Sequence, residues 1–467
     1  MQTDTVRALG MFWGFLGLLT VLRLTLAALL PLTPDEAYYW VWSRHLQMGY
    51  FDHPFMVALW IRIGTWIAGD TPLGVRLLGP LSVLPGSWAL FHAARLLLPS
   101  RSWPLSGFQA VLLLNATLML GLGAATMTPD TPLVFFVSVA LYAIGKAVTL
   151  PANKALGWWL LTGMLLGLAF DSKYTAVLIG FGLGGAVVFS PAWRKQPGPW
   201  LAIPVLLATI SPVLYWNATH HWASLLKQGG RAGDWHPARA IQFQSELFGG
   251  QIGLATPLIF GLFVIGLWAC FKRNTLLVWL GVLPLAVFIF HAFGDRVQAN
   301  WPAVVYPVLA LAAVEAGRRV RWAATSGFVM TALVCLQAAF AFLPIPPAKD
   351  PVQRQTAGWP EFDQKLERQA VAQGATVLMA EDYGLASQLA FNQGNSGLSV
   401  FGTDRRWELF RLPAARGEKG LRVEEIHHIP SPLPMDVLCR ESQGRTVRCY
   451  QMTVVENPLG VQLPRHS

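Results

Sequence analysis

Residues 32–56 read LTPDEAYYWVWSRHLQMGYFDHPFM, a short acidic stretch crowded with aromatic residues. Asp35, Glu36, Asp52, His45, His53 and Arg44 all fall inside it, directly after the first long apolar run. Ionisable side chains next to a bilayer are costly to place, so each starts as a candidate for function. The rest of the chain decides whether this stretch is a solvated loop or part of a working site.

The surrounding sequence is that of a membrane protein. Of 467 residues, 54% are apolar and 13% charged, and the mean hydropathy is +0.43. A soluble chain carries roughly twice that charged fraction. Twenty tryptophans and 26 phenylalanines suit lipid-facing and interfacial surfaces. The net charge of +10 sits in short clusters between apolar runs, without a basic helix or stripe that would track a phosphate backbone. Nucleic-acid binding is therefore not expected, and the lipid bilayer is the first partner the composition implies.

About 20 mostly apolar residues cross a bilayer as a helix. This rule places about eleven spans, near 8–30, 72–98, 105–123, 132–150, 156–170, 174–190, 200–216, 251–270, 275–292, 301–316 and 323–343. The first run is too long for a cleaved leader and reads as a retained helix. With the N-terminus inside, Arg95/Arg101, Lys146/Lys154, Arg194/Lys195, Lys272/Arg273 and Arg318/Arg319/Arg321 all face the cytoplasm, as the positive-inside rule requires. The opposite face then gathers Asp35 to His53, Asp130, Asp171 to Lys173, Trp216 to Gln244 and Gly294 to Asn300. Between the first two spans, 34–46 and 54–68 read as interfacial helices, with Tyr38, Tyr39, Trp40 and Trp42 at headgroup level.

Pro344, Pro346 and Pro347 close the last helix, because proline removes a donor and restricts its predecessor. The division expected is a membrane domain over 1–344 and a small α/β domain over 345–467 on the non-cytoplasmic side. In the tail ATVLMA reads as a strand, EDYGLASQLAF as a helix, and VLCRESQGRTVRCYQMTVV as two strands about a turn. Cys439 and Cys449 flank that turn, and an oxidising compartment would cross-link them; the alternative is two free thiols. Cys270 and Cys335 read as buried, inert thiols.

Two tripeptides recur, Thr33-Pro34-Asp35 and Thr128-Pro129-Asp130. Helix capping accounts for part of this: Thr caps, Pro suits the first helical position, and Thr33 with Glu36 forms a capping box. Capping explains Asp35 less well, since Asp52, His53 and Asp130 return to the same face. Asp35, Glu36 and Asp130 are the candidate catalytic acids. Asp52 and His53 are candidates for binding substrate or a divalent metal, although a metal site needs three or more ligands, which His220, His221 or His236 would have to complete. Lys173, Arg231 and Arg296 are the candidate partners of a phosphate, because a departing phosphate must be held as charge develops. Tyr174 and Asn300 stand beside them as further binding residues.

The segments TPDEAYYWVWSRHLQMGYFDHPFMVALW, TMTPDTPLVFF, GLAFDSKYTAVL, LYWNATHHWASLLKQGGR, GGQIGLATPLIF and ANWPAVVYP resemble the bacterial family 39-type glycosyltransferases. These are similar to lipid A aminoarabinose transferases and, more distantly, to protein O-mannosyltransferases. The resemblance spans residues 8–320. It implies the GT-C fold, a site facing the periplasm of a bacterial inner membrane, and a sugar donor carried on polyprenyl phosphate rather than a nucleotide. It implies Asp35 as general base, Asp130 as the second-loop acid, Asp52 and His53 at a position facing phosphate, and Lys173 on the donor phosphate. Relatives often carry Lys where His53 stands.

The expected reaction is inverting transfer to a cell-envelope acceptor, lipid A, a glycan, a lipid or a protein hydroxyl. The rival is a transporter or flippase of lipid-linked sugars. Transporters place charges near the midplane on broken helices, whereas these charges lie near loops on one face.

Overall fold

The computed structural model describes residues 2–230, 235–317, 319–392, 397–410, 412, 414–428 and 432–465. The chain forms two compact units, one of Met1–Leu24, Asp52–Val57 and Leu78–Leu333, the other of Thr25–Phe51, Ala58–Leu77 and Val334–Ser467.

The first unit is helical. Among the described residues, five helices of the chain are long and apolar enough to cross a membrane: Leu9–Leu29, Pro72–Leu97, Asp130–Thr149, Pro197–Thr219 and Val320–Phe340. A sixth span arises if the bent pair Pro237–Ala255 and Pro257–Cys270 is counted as one. The eleven apolar runs are therefore not eleven full-length helices. Several are cut short: Leu105–Ala116 stops at Thr117, and a 3₁₀ turn at Trp301–Val305 precedes Tyr306–Glu315. The bent pair turns by 106° at Thr256, which has φ +71°. Pro257 next to it supplies no N–H and excludes helical geometry at its neighbour.

Where these helices pack, small residues let backbones approach. A Cβ on Gly163 would lie 2.2 Å from the Ala202 carbonyl oxygen, and one on Gly266 would lie 2.3 Å from that of Ala312. Arg23, buried within the first span, donates to Asn115 Oδ1 at 2.9 Å and to the Asn115 carbonyl at 3.3 Å. A buried guanidinium needs such acceptors, so this arginine ties two helices together.

Tyr306–Glu315 ends in a buried carboxylate. Glu315 takes Arg101 at 3.2 Å, Arg273 at 3.1 Å and the Ser100 hydroxyl at 3.0 Å. These basic residues belong to the clusters assigned to the cytoplasm by charge. Asn300 lies at the other end of the same segment, roughly 20 Å away along the helical rise.

The second unit joins the first loop to the tail. Pro34–Arg44 carries the expected capping box: Thr33 Oγ1 accepts from the Glu36 N–H, and Glu36 Oε2 accepts from the Thr33 N–H at 3.0 Å. The second expected interfacial helix is Met56–Ala68, of which Ala58–Ala68 belongs to this unit. The aromatic residues of Pro34–Arg44 are enclosed by protein. Tyr38, Trp40 and Trp42 are buried against Tyr383, Phe391, Trp407 and Phe410 of the tail, and Tyr39 is buried beside Tyr38 and Trp42.

The tail is built on a seven-stranded mixed sheet: β1 Val377–Ala380, β2 Ser399–Gly402, β3 Ala414–Arg416, β4 Lys419–Ile426, β5 Val437–Ser442, β6 Arg445–Glu456 and β7 Leu459–Gln462. Their order is β3-β7-β2-β1-β4-β6-β5, with β1 parallel to β2 and β4 and the other pairs antiparallel. The helix read from EDYGLASQLAF is Tyr383–Asn392. Cys439 and Cys449 lie opposite each other on β5 and β6 and form a disulfide.

Candidate active site

In the first unit, Lys173 follows the helix Ala152–Phe170 and Asp130 opens the helix Asp130–Thr149. Lys173 Nζ donates to both Asp130 oxygens, at 2.8 and 2.9 Å, and Asn300 Nδ2 donates to Asp130 Oδ2 at 2.7 Å. Asp130 and Lys173 are 2% and 4% exposed. Three sequence candidates from three distant segments thus converge. Buried opposite charges persist only when paired and hydrogen-bonded, and this cluster meets both conditions.

Around it lies a polar network. The Tyr174 hydroxyl shares a hydrogen bond with Ser224 Oγ at 2.8 Å and accepts from Asn217 Nδ2 at 3.3 Å. Asp52 forms an ion pair with Lys227, and its carbonyl accepts from Gln228 Nε2 at 3.0 Å. Met56 N–H donates to the Asp171 carbonyl at 3.1 Å, fastening the segment that carries Asp52 to the one that carries Lys173. Asp171 itself is 1% exposed, and burial pushes its carboxyl up to about 8. Its Oδ1 has no hydrogen-bond partner among the described residues.

The cationic candidates differ in setting. Arg296 pairs with Glu246 at 2.7 Å and is largely exposed. Lys227, a base the structure adds to them, is paired with Asp52 and half-buried. Arg231 lies outside the described residues. No group of three or more His, Cys, Asp or Glu side chains is placed to hold a metal ion among the described residues. Asp52 and half-buried His53 fit a resident metal poorly, since Lys227 already compensates the carboxylate.

In the second unit the two adjacent acids of the first loop part company. Glu36 is fully buried, and Arg76 grips it through Nε at 2.6 Å and Nη2 at 2.7 Å. Arg76 also donates to the carbonyls of Ala27, Leu30 and Pro31, capping the end of the helix before the loop. Asp35 remains exposed at the start of its own helix and accepts from the Tyr383 hydroxyl at 3.0 Å. Glu36 therefore sits where a capping and bracing residue sits, and Asp35 is the acid left at the surface.

Sequence reading missed several of these residues. Lone charges in apolar runs were the available signal for Arg23 and Arg76, and the sequence places Asp171 on the outer face without a role. Tyr383 carried none, because its partner lies 348 positions away.

Residues 52–216 match the family described as dolichyl-phosphate-mannose-protein mannosyltransferase. The lipid A galacturonosyltransferase RgtD of Rhizobium johnstonii is 25% identical over 422 residues, covering 82% of this chain and 84% of the relative. ArnT from Cupriavidus metallidurans, solved bound to undecaprenyl phosphate, superposes with a TM-score of 0.63 at 16% identity, over 94% of this chain and 98% of that one. Its apo structure gives 0.63 at 14% identity, over 96% and 98%. The likeness to ArnT is one of fold.

Fold, membrane character and family match define a multi-pass membrane glycosyltransferase of the GT-C class. The segment that matches the mannosyltransferase family carries Asp52, Asp130 and Lys173.

Proposed function

We propose that this enzyme moves a sugar from a polyprenyl phosphate, undecaprenyl phosphate in a bacterial inner membrane, to a lipid A-type or other cell-envelope acceptor, with inversion. The work is placed on the periplasmic face, with the eleven apolar runs, short or broken ones included, making up the membrane domain. The observation that carries the reading is the division of labour at Asp35 and Glu36: bracing consumes Glu36 and leaves Asp35 exposed. The RgtD relationship supports a lipid A acceptor, and the ArnT fold supports the lipid-linked donor.

In this reading Asp35 takes the proton of the acceptor hydroxyl as its oxygen attacks the anomeric carbon. The bond from that carbon to the phosphate oxygen breaks, and the polyprenyl phosphate leaves with the electron pair. Such proton transfer contributes about 10²–10⁴-fold. Arg296 and Lys227 serve the phosphate, because an arriving phosphate exchanges most easily with carboxylates that water already reaches, and Arg231 joins them as a candidate from the sequence. Lys173, Asp130 and Asn300 form the buried frame beside it, with Tyr174. His53 is a further phosphate-facing group, and no step runs through a metal.

An apolar cavity of about 180 Å³ in the helical unit, with Phe263, Phe288 and Leu247 on its walls and Gln251 and Tyr306 among its few polar groups, supports a lipid-tailed substrate. The test is incubation of the purified protein with several polyprenyl-phosphate sugars, reading released polyprenyl phosphate. Release with an acceptor present supports the reading. Absence of release from every donor, by folded protein, ends it.

A further inference from the structure

The helix Tyr383–Asn392 of the tail is seated on the first loop through specific contacts. Asp382 Oδ1 accepts from the Leu385 N–H at 2.7 Å and starts the helix. Gln388 Nε2 donates to the Leu32 carbonyl at 2.6 Å. A Cβ on Gly384 would lie 2.8 Å from Pro34 Cβ, so only glycine allows this approach. The first residue of the helix, Tyr383, thereby meets Asp35.

The phenol is held from several sides. Its hydroxyl donates to Asp35 Oδ1 at 3.0 Å, and its ring lies 4.7 Å from that of Tyr38. The Arg406 guanidinium stands 3.9 Å from the ring centroid and 5.6 Å from that of Tyr38, steadied by Asp404 at 3.3 Å. A cation over a phenol face is attractive, and it draws density from the ring, making the hydroxyl a stronger donor. On these elements Glu36 pairs with Arg76, Arg44 with Asp70, and Asp382 with its helix, while Arg405 and Glu408 flank Arg406 in the segment Arg405–Phe410.

We propose that Tyr383 is the positioning residue for Asp35, and that the tail domain thereby supplies part of the catalytic machinery. The inference rests on Asp35 being the base. The hydroxyl fixes the carboxylate rotamer at the helix start and favours its ionised form, as donors to a carboxylate do. Arg406, over the face of the phenol ring, strengthens that bond. An exposed hydrogen bond adds little to stability by itself, so its removal should be read in catalysis.

The experiment compares Tyr383→Phe, Arg406→Gln and Asp35→Asn in the full-length protein, with kcat and KM followed across pH. Tyr383→Phe should keep its thermal midpoint and its donor KM within about twofold and lose about tenfold in kcat, the effect of one hydrogen bond to a charged group. The acidic limb of its pH profile should move to higher pH, which a merely structural role would not produce. Arg406→Gln should move the limb the same way by less, and it decides the matter if Tyr383→Phe fails to fold. Wild-type kcat and an unmoved limb in a folded variant, beside an inactive Asp35→Asn, would overturn the positioning role alone. Full activity in Asp35→Asn would remove the base and this inference together.

Discussion

Lys173 donates to both oxygens of Asp130, at 2.8 and 2.9 Å, with neither side chain more than 4% exposed. Each charge is tolerable only because the other is there. Lys173→Met should destabilise by about 3–5 kcal/mol, the cost of stranding a buried charge. Asp130→Asn with Lys173→Met should recover most of that stability without recovering transfer. Thermal unfolding in detergent, with an activity assay on the same samples, checks both outcomes.

Asp171 lies in the loop before Lys173, and its carboxyl is raised from 3.8 to about 8 by burial. Between those values the folded protein holds a proton that the unfolded chain has lost. Stability should therefore be highest below about pH 4 as far as this group is concerned, and fall as pH rises towards 8, by about 1.4 kcal/mol per pH unit. Above 8 the slope ends. Asp171→Asn should flatten this dependence and raise the thermal midpoint at pH 8; an unchanged pH slope would contradict it.

Glu36 and Asp35 are neighbours with opposite expected phenotypes. Glu36→Ala strands Arg76 and removes the capping box, so it should cost about 3–5 kcal/mol and reduce the yield of folded protein. Asp35→Asn should fold and bind donor like wild type and lose at least 100-fold in kcat, the lower end of what a general base contributes, about 10²-fold. Size-exclusion profiles and donor-binding measurements separate the two kinds of loss.

The Cys439–Cys449 disulfide links β5 to β6. In intact cells a thiol-reactive polymer should shift this protein by these two cysteines only after reduction and denaturation. Cys439→Ser with Cys449→Ser should lower stability by about 2–4 kcal/mol. Labelling of both thiols in unreduced, denatured protein would place the tail in a reducing compartment.

Asp52 is held by Lys227, and no set of three ligands surrounds it among the described residues. Chelation with EDTA should leave transfer within about twofold of the untreated enzyme. A loss restored by one added divalent cation would bring Asp52 and His53 back as ligands.

The sequence by itself determined everything that acts within a helical turn or along a hydrophobic run. Apolar length gave the membrane class, the Thr33–Glu36 box was legible from spacing, and ATVLMA and the Cys439–Cys449 hairpin read as strands. The motif around Asp130 and Lys173 carried the family resemblance before any geometry was known. Only the tertiary structure decided which charges meet. Glu36 was paired with Arg76, Asp130 with Lys173 and Asn300, and Asp35 with Tyr383. It also buried Tyr38, Trp40 and Trp42, which their aromatic character alone assigned to the headgroups, and cut several apolar runs into shorter helices. The reason is range: caps and periodicity are set by neighbours in the chain, whereas the partner of a buried charge is set by which distant segment the packing brings within 3 Å.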